Sequence, residues 1–363
     1  MHQAWRAAHF SDTYQQSRKK FLAATAHCTT VTSHVMPSHT GAEGEPLVMD
    51  LAYFGRPSAA RLLILSSGTH GPEGFCGSAC QISLLHDQAL LAEAQTGGIG
   101  VLLVHAVNPY GFSWMHRTNE HNIDLNRNAV QFPVDRPLDP RVALAQAALI
   151  PRTWPRTASE QTALDQYCKS NGGLDQLWKT LSQGQYSDST GLFYGGKAPS
   201  WSIATLRGVL GLYACQASDV VWIDVHTGLG PYGHGEKICP GRVDDLDFVR
   251  SLWGADILVP GAGSVSGGVS GSVIKLIHEI RPNAKAAIMG LEFGTKPYRD
   301  VLDSLVADTW LRKQSNLAPA VREGISRQVR DAFYCDSDDW KGAVLGQARV
   351  VLLQSIKGLA ELT

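Results

Sequence analysis

Residues 61–85 read RLLILSSGTHGPEGFCGSACQISLL and carry the clearest fold signal in the chain. The apolar run RLLIL ends at SSG, and a second stretch with helical character begins after Gly74. An apolar run that does not alternate with polar residues is typical of a strand covered on both faces. A buried strand that leads through a glycine-rich turn into a helix predicts a unit of an α/β fold.

The same pattern recurs along the chain. Five more short apolar runs predict strands at residues 47–54, 99–107, 220–225, 256–259 and 286–293. Helices are predicted at residues 75–91, 202–217, 273–278 and 11–26, the last with Ser11 as its N-cap. Strands that alternate with helices predict an α/β fold with a mixed, mostly parallel central sheet flanked by helices.

The composition is that of an ordinary globular protein, with 363 residues, 44% hydrophobic and 18% charged. It excludes a disordered chain, a collagen and a coiled coil. The 32 basic and 33 acidic residues give a net charge of -1. This balance argues against a nucleic-acid-binding protein that relies on a general positive field, so we expect no nucleic-acid partner.

The cysteines point to a reducing compartment. There are 7 of them, an odd number, and no CxxC pair. Neither a disulfide framework nor a thiolate zinc site is predicted, and we expect reduced thiols in a cytoplasmic protein. No apolar run approaches the roughly 18 residues of a membrane span, and the first residues lack the apolar core of a signal peptide. No membrane partner is expected.

His70 and Glu73 lie on the turn after the strand that ends at residue 65. A histidine and a carboxylate three residues apart can converge on one cation there, because open α/β sheets bind ligands at the carboxyl ends of their strands. A lone HxxE is more often an ordinary histidine beside a helix-capping glutamate. A second strand-end histidine, His226 in VVWIDVHTGLG, strengthens the metal interpretation. Two histidines and a glutamate are a common catalytic zinc set, and Asp224 is placed to orient an imidazole.

Glu292 follows the last apolar run, in AAIMGLEFGT, and parallel strands would bring it to the same edge of the sheet. Its apolar neighbours favour a raised pKa and a role as general base. The alternative is a structural carboxylate paired with Lys296 or Arg299.

The segment between the two histidines contains Arg117, Asn126 and Arg127. A guanidinium can stabilise a developing oxyanion or bind a carboxylate through two hydrogen bonds. Taken singly, each arginine is more often a surface ion pair. Other histidines that could compete as ligands are His105, His116 and His121, none with a carboxylate at HxxE spacing.

The ordered motifs HGPEG, NPYG, an arginine, DLNRN, DVHTG and a strand-end glutamate resemble the zinc carboxypeptidase superfamily, of carboxypeptidase A type. SSGTHGPEGFCGS, NIDLNRN and DVHTGLGPYGHGE look more closely like the bacterial family labelled domain of unknown function 2817. The resemblance implies a single catalytic domain over residues 1–363, with residues 133–199 as a helical insertion or cap.

The family pattern implies zinc held by His70, Glu73 and His226, with Glu292 as the base that activates water. It also implies that Arg117 stabilises the oxyanion, while Asn126 and Arg127 hold a substrate carboxylate. The expected activity is hydrolysis of an amide or peptide bond next to a free carboxylate, in a small-molecule or short peptide substrate. Two alternatives stay open: an N-acyl amino acid deacylase resembling aspartoacylase and succinylglutamate desuccinylase, and a metal- or ligand-binding protein without turnover.

Overall fold

The computed structural model describes residues 8–134, 139–261, 264, 268–269 and 271–362. Within them, one sheet of eight strands has the spatial order β1-β2-β4-β3-β5-β8-β6-β7. The strands are β1 (Thr30–Thr40), β2 (Pro46–Phe54), β3 (Arg61–Ser66), β4 (Ile99–His105), β5 (Asp219–Tyr232), β6 (Gly235–Ile238), β7 (Ile257–Leu258) and β8 (Lys285–Gly294).

Helices precede, connect and follow these strands. In the described ranges they are α1 (Tyr14–Ala24), α2 (Gly74–His86), α3 (Gln88–Thr96), α4 (Pro109–Trp114), α5 (Leu125–Asn128), α6 (Pro140–Leu149), α7 (Ala158–Ser170), α8 (Gly173–Ser182), α9 (Trp201–Tyr213), α10 (Leu246–Trp253), α11 (Leu276–Ile280), α12 (Tyr298–Arg312), α13 (Pro319–Phe333) and α14 (Asp338–Ala360). Short 3₁₀ helices cover Thr25–His27, Val243–Asp245 and Val273–Lys275.

The predicted fold class is confirmed: the sheet is mixed, with a parallel centre and helices on both faces. Strands β4, β3, β5 and β8 run parallel to their neighbours in this central group, so their carboxyl ends share one edge. Strands β1 and β2 extend one side of the sheet in antiparallel pairing, and β6 pairs antiparallel with β8 on the other side. One apolar core lies between the sheet and helices such as α2 and α14, and a second lies under α9 and α11.

Two strands were not predicted. The edge strand β1 alternates polar residues with a few apolar ones and is mostly exposed, so it lacks the apolar run of a buried strand. The strand β6 is only 4 residues long. Both are held by backbone pairing with a more apolar neighbouring strand, which a local sequence pattern does not record.

Two predicted helices have different boundaries because other side chains cap them. Helix α1 begins after Thr13, whose side chain accepts a hydrogen bond from the backbone of Gln16, so Ser11 is not the N-cap. The predicted helix 75–91 is broken at Asp87, whose carboxylate caps α3 by accepting from Leu90 N. A short polar residue competes with the helix interior for backbone donors and starts a new helix instead.

The polar segment 133–199 contains α6, α7 and α8, and its residues 135–138 are not among the described residues. Their apolar faces form a third hydrophobic cluster together with α12 and α13. Whether this segment is an insertion within a single domain stays a prediction. None of the described helices is both long enough and apolar enough to cross a membrane.

His105 provides a test of the packing. Its buried ring stacks on Phe21, with ring centroids 4.5 Å apart, and its Nε2 lies 3.0 Å from Ser78 Oγ. Burial lowers the pKa of His105 to about 4. Since the unfolded value is about 6.5, the unfolded chain binds the extra proton first, and stability is lost as the pH falls from about 6.5 to about 4.

We expect the wild type to lose about 2 kcal/mol of unfolding free energy through this residue between pH 7.5 and pH 5. Urea unfolding at the two pH values should show a correspondingly smaller loss in His105→Gln, while His121→Gln, an exposed histidine, should behave like the wild type. Equal pH dependence in all three proteins would contradict this assignment.

Candidate metal centre

His70, Glu73 and His226 come together at the carboxyl edge of the sheet. His70 and Glu73 lie on the turn between β3 and α2, and His226 lies on β5. All three are buried, and one ligand atom from each lies within 4.8 Å of the other two. No other group of three or more such side chains was found among the described residues.

The sequence analysis placed His226 directly after a strand, but His226 lies inside β5. Strand β5 continues because β8 pairs with it as far as Gly228, and His226 stands opposite Glu292 in this register. At Gly228 the strand pairing is irregular, the φ is +137°, and a Cβ would meet the Phe333 ring at 2.9 Å. Glycine therefore lets the strand bend beside the site.

Both imidazoles present the same nitrogen to Glu73. Nδ1 of His70 lies 2.9 Å from Glu73 Oε1, and Nδ1 of His226 lies 2.8 Å from Glu73 Oε2. The backbone N–H of Thr227 also donates to Oε2, at 3.2 Å. The two Nδ1 atoms and the carboxylate thus converge on one point from three directions.

A buried aspartate holds the opposite nitrogen of each ring. Nε2 of His70 lies 3.3 Å from Asp124 Oδ1, and Nε2 of His226 lies 2.7 Å from Asp224 Oδ2. Asp224 accepts further bonds from the hydroxyls of Ser66 and Thr69 at the end of β3. A carboxylate on the far side of an imidazole fixes the ring and directs the near nitrogen toward a metal.

Asp124 belongs to the candidate site by its contacts, and the sequence analysis missed it. Besides His70, it contacts both arginines: Arg117 Nε donates to it at 3.1 Å and Arg127 Nη1 at 3.4 Å. It also caps α5 by accepting from Asn126 N. The DLNRN motif contained the signal, but a capping aspartate is common enough to hide a second role.

The centre contains many charged groups. Arg117 lies close to the carboxylates of Glu73, Asp124 and Glu292, and Asp224 lies against His226. Burial would raise the pKa of Glu73, but His70 and His226 hold it below its usual range. Burial would likewise lower the pKa of His226, yet Asp224 and Glu73 raise it well above the usual value. Glu73 and His226 therefore stabilise each other's charged forms.

Glu292 lies beside this cluster on β8. The backbone N–H of Leu229 donates to its Oε1 at 3.1 Å. Burial, reinforced by the negative charge of Glu73, raises the pKa of Glu292 to about 7. In the described part of the chain it forms no ion pair with Lys296 or Arg299, and Arg299 lies instead 3.9 Å from Asp165. A carboxyl group with this pKa can take and return a proton near neutral pH.

Arg117, Asn126 and Arg127 line the same small pocket as the three candidate ligands. Arg117 Nη1 lies 3.4 Å from Glu73 Oε1, which places a guanidinium beside the ligand set. Arg127 donates through Nε and Nη2 to the carbonyl of Ser182 and lies over the Phe193 ring. Asn126 Oδ1 accepts from Val273 N. Arg127 keeps part of its five-donor capacity for a ligand.

The three competing histidines do not join the centre. His105 packs in the core against Phe21, and His116 Nδ1 contacts the buried carboxylate of Asp308. His121 is exposed, 3.8 Å from Glu120. Asp308 also accepts from the backbone N–H of Arg117 at 3.1 Å, so the His116–Asp308 pair anchors the loop that carries this arginine.

Two connected spaces open over the centre. The inner pocket, with a volume of about 110 Å³, contains His70, Glu73, His226 and Glu292. An outer cleft of about 1700 Å³ lies above it. Five residues line both spaces, and we call the boundary that they form the neck: Trp178, Leu229, Pro240, Pro260 and Val269.

Described residues of the Ser/Gly-rich segment 260–272 border these spaces. Gly261, Ser264 and Gly268 line the outer cleft and Ser272 lines the inner pocket. Residues 262–263, 265–267 and 270 lie outside the described residues.

The residues present fit a zinc ion. Zinc in catalytic sites is commonly held by two histidines and a glutamate, with a further position left for water or substrate. Here two imidazole nitrogens and a carboxylate converge, and a buried aspartate orients each imidazole from its far side.

Comparisons with known proteins agree with this architecture. The model of a family described as "Protein of unknown function (DUF2817)" matches residues 10–347. A search of curated proteins gave no match. Thrombin activatable fibrinolysis inhibitor is a solved structure whose likeness supports the predicted fold class, and other similar solved structures include carboxypeptidases.

Three of these structures illustrate the likeness. Thrombin activatable fibrinolysis inhibitor has 11% identity and a TM-score of 0.52, over 97% of this chain and 75% of that chain. Carboxypeptidase A from Helicoverpa armigera has 12% identity and a TM-score of 0.44, over 88% and 74%. Murein-tripeptide amidase MpaA from Escherichia coli O157 has 15% identity and a TM-score of 0.37, over 82% and 97%. At these identities the likeness concerns the fold alone.

The geometry of the centre predicts zinc binding. We expect about one zinc per chain in protein purified without chelator, and its loss in His70→Ala, because a catalytic zinc site normally needs three protein ligands. Asp124→Asn and Asp224→Asn should each weaken zinc binding by about 10- to 100-fold, since each removes the carboxylate behind a ligating imidazole.

Elemental analysis and competition with a chromogenic chelator measure both effects. Asp256→Asn, which alters an exposed ion pair with Lys237, is the matched control and should leave zinc affinity unchanged. Wild-type affinity in both the Asp124 and Asp224 variants would refute the orienting role of these carboxylates.

Proposed function

The chain belongs to the DUF2817 family, and we propose that it is a zinc-dependent hydrolase that cleaves an amide or peptide bond next to a free carboxylate. The observation that carries the proposal is the convergence of three buried candidate ligands beside Glu292, a buried glutamate with a raised pKa. A binding protein needs the ligand set alone. A hydrolase also needs a base, and Glu292 supplies one.

His70, Glu73 and His226 would hold the zinc. When bound, zinc supplies a Lewis acid that polarises a carbonyl group and lowers the pKa of water to about 7. Because Glu292 stands opposite His226 in the paired strands, its carboxylate reaches the same small space. Its role is to take the proton from the attacking water and to return it to the leaving amine.

Arg117 is placed to stabilise the negative charge that develops on the carbonyl oxygen. Its guanidinium lies beside Glu73 and is held by Asp124, so it needs little rearrangement during the reaction. The remaining donors of Arg127 and the side-chain amide of Asn126 are available on the wall of the same pocket for a substrate carboxylate.

The outer cleft favours a substrate longer than a single acylated amino acid. Small-molecule pockets usually measure about 300–1,000 Å³. The cleft, with about 1700 Å³, exceeds that range, whereas the inner pocket holds little more than the reacting bond. A peptide fits this combination of a narrow reaction pocket and a wide approach.

Glu292→Gln tests the base. The amide keeps the shape of the side chain but cannot take a proton, so we expect kcat to fall by about 10²- to 10⁴-fold. Zinc content should stay at the wild-type value. Steady-state hydrolysis of C-terminally free peptides and of N-acyl amino acids, with Glu279→Gln as a surface control, measures the effect. Near-wild-type turnover in Glu292→Gln would remove it as the base, and turnover of N-acyl amino acids alone would favour the deacylase.

Arg127→Lys tests carboxylate binding. Lysine keeps the charge but loses the planar pair of donors, so KM should rise about tenfold for substrates with a free carboxylate and much less for their amidated counterparts. The comparison within one variant cancels any general effect on folding. An equal change for free and amidated substrates would show that Arg127 has only a structural role.

A further inference from the structure

The outer cleft has an excess of positive charge that the proposed reaction does not use. Its charged lining side chains are Lys179, Lys275, Lys296, Asp139 and Asp175. The carboxylate of Asp139 is already neutralised by Arg141, at 2.7 Å. In the described part of the chain, the three lysines form no ion pair. Among the described residues, the cleft therefore presents three ammonium groups against one unengaged carboxylate.

Lys275 is the best placed of these lysines. It ends the 3₁₀ helix Val273–Lys275, directly after Ile274, which lines the inner pocket. It is half-buried, and burial lowers the pKa of Lys275 because no carboxylate offsets the removal of its ammonium group from water. A partly buried charge without a counter-charge is unfavourable, and an arriving anion relieves it.

The inner pocket requires the substrate to extend toward this lysine. Its volume of about 110 Å³ lies well below the roughly 300–1,000 Å³ of typical small-molecule pockets. Only the reacting bond and a small group fit there. The rest of a peptide has to pass the neck formed by Trp178, Leu229 and their neighbours and enter the cleft that Lys275 lines.

We propose that the outer cleft selects acidic peptides, with Lys275 as the main counter-charge for a glutamate or aspartate side chain of the substrate beyond the neck. This inference rests on the proposed hydrolase function and names its substrate class. It assigns Lys275 to specificity and not to catalysis, so its effect depends on the charge of the substrate.

The test uses zinc-loaded protein and three peptides that share a C-terminal residue and carry Glu, Gln or Lys at the two preceding positions. We expect kcat/KM to be about tenfold higher for the Glu peptide than for the Gln peptide, and lowest for the Lys peptide. Lys275→Met should reduce the Glu-to-Gln ratio to about twofold or less while leaving the Gln peptide unaffected, and Lys275→Arg should preserve the preference.

Lys285→Met is the matched control, because Lys285 lies at the start of β8, far along the strand from Glu292, and packs over Phe248. It should keep the full preference for Glu. Equal rates for the Glu and Gln peptides, or an unchanged preference in Lys275→Met, would overturn the inference and leave the hydrolase proposal standing.

Absence of hydrolysis for all peptides would instead count against the proposed function. Calorimetric titration of the same peptides into the wild type then decides the inference by itself. Tighter binding of the Glu peptide that is lost in Lys275→Met supports it, and equal binding of the Glu and Gln peptides contradicts it.

Discussion

The buried carboxylate of Glu73 is the interaction on which the rest of the centre depends. With 2% of its surface exposed, it can stay ionised only if positive or polarised groups surround it. His70, His226, Arg117 and the backbone of Thr227 meet that need from different elements. The loop after β3, the middle of β5 and the segment after α4 are therefore held in one arrangement by a single charged group.

The central strands and the main site residues could be predicted because their signals are local. An apolar run such as LLIL predicts a buried strand, and a charged or histidine side chain at its end is conspicuous. The parallel pairing of β3, β5 and β8 then brings those ends together, as it does for His226 and Glu292. The resemblance of the ordered motifs to the zinc carboxypeptidase superfamily then implies a specific role for each of these site residues.

Other features depend on contacts between distant residues. Strand β1 exists because β2 offers it a ladder of backbone partners, although its own residues are largely polar. Asp124 looks like an ordinary cap in the sequence, and only the fold reveals that it also joins His70 to two arginines. The position of Lys275 on the wall of the cleft likewise depends on contacts of the 3₁₀ helix Val273–Lys275 with β5 and β8, which are distant in sequence or lie in another element.

Helix α14 imposes an order on the maturation of the protein. It packs against α2, the helix that begins directly after Glu73, and its residues complete the larger apolar core. A ribosome must therefore synthesise residues 338–360 before the helix beside the ligand set gains its full support. We therefore expect the candidate metal site to reach its final geometry only after residues 338–360 have been synthesised and have folded against α2.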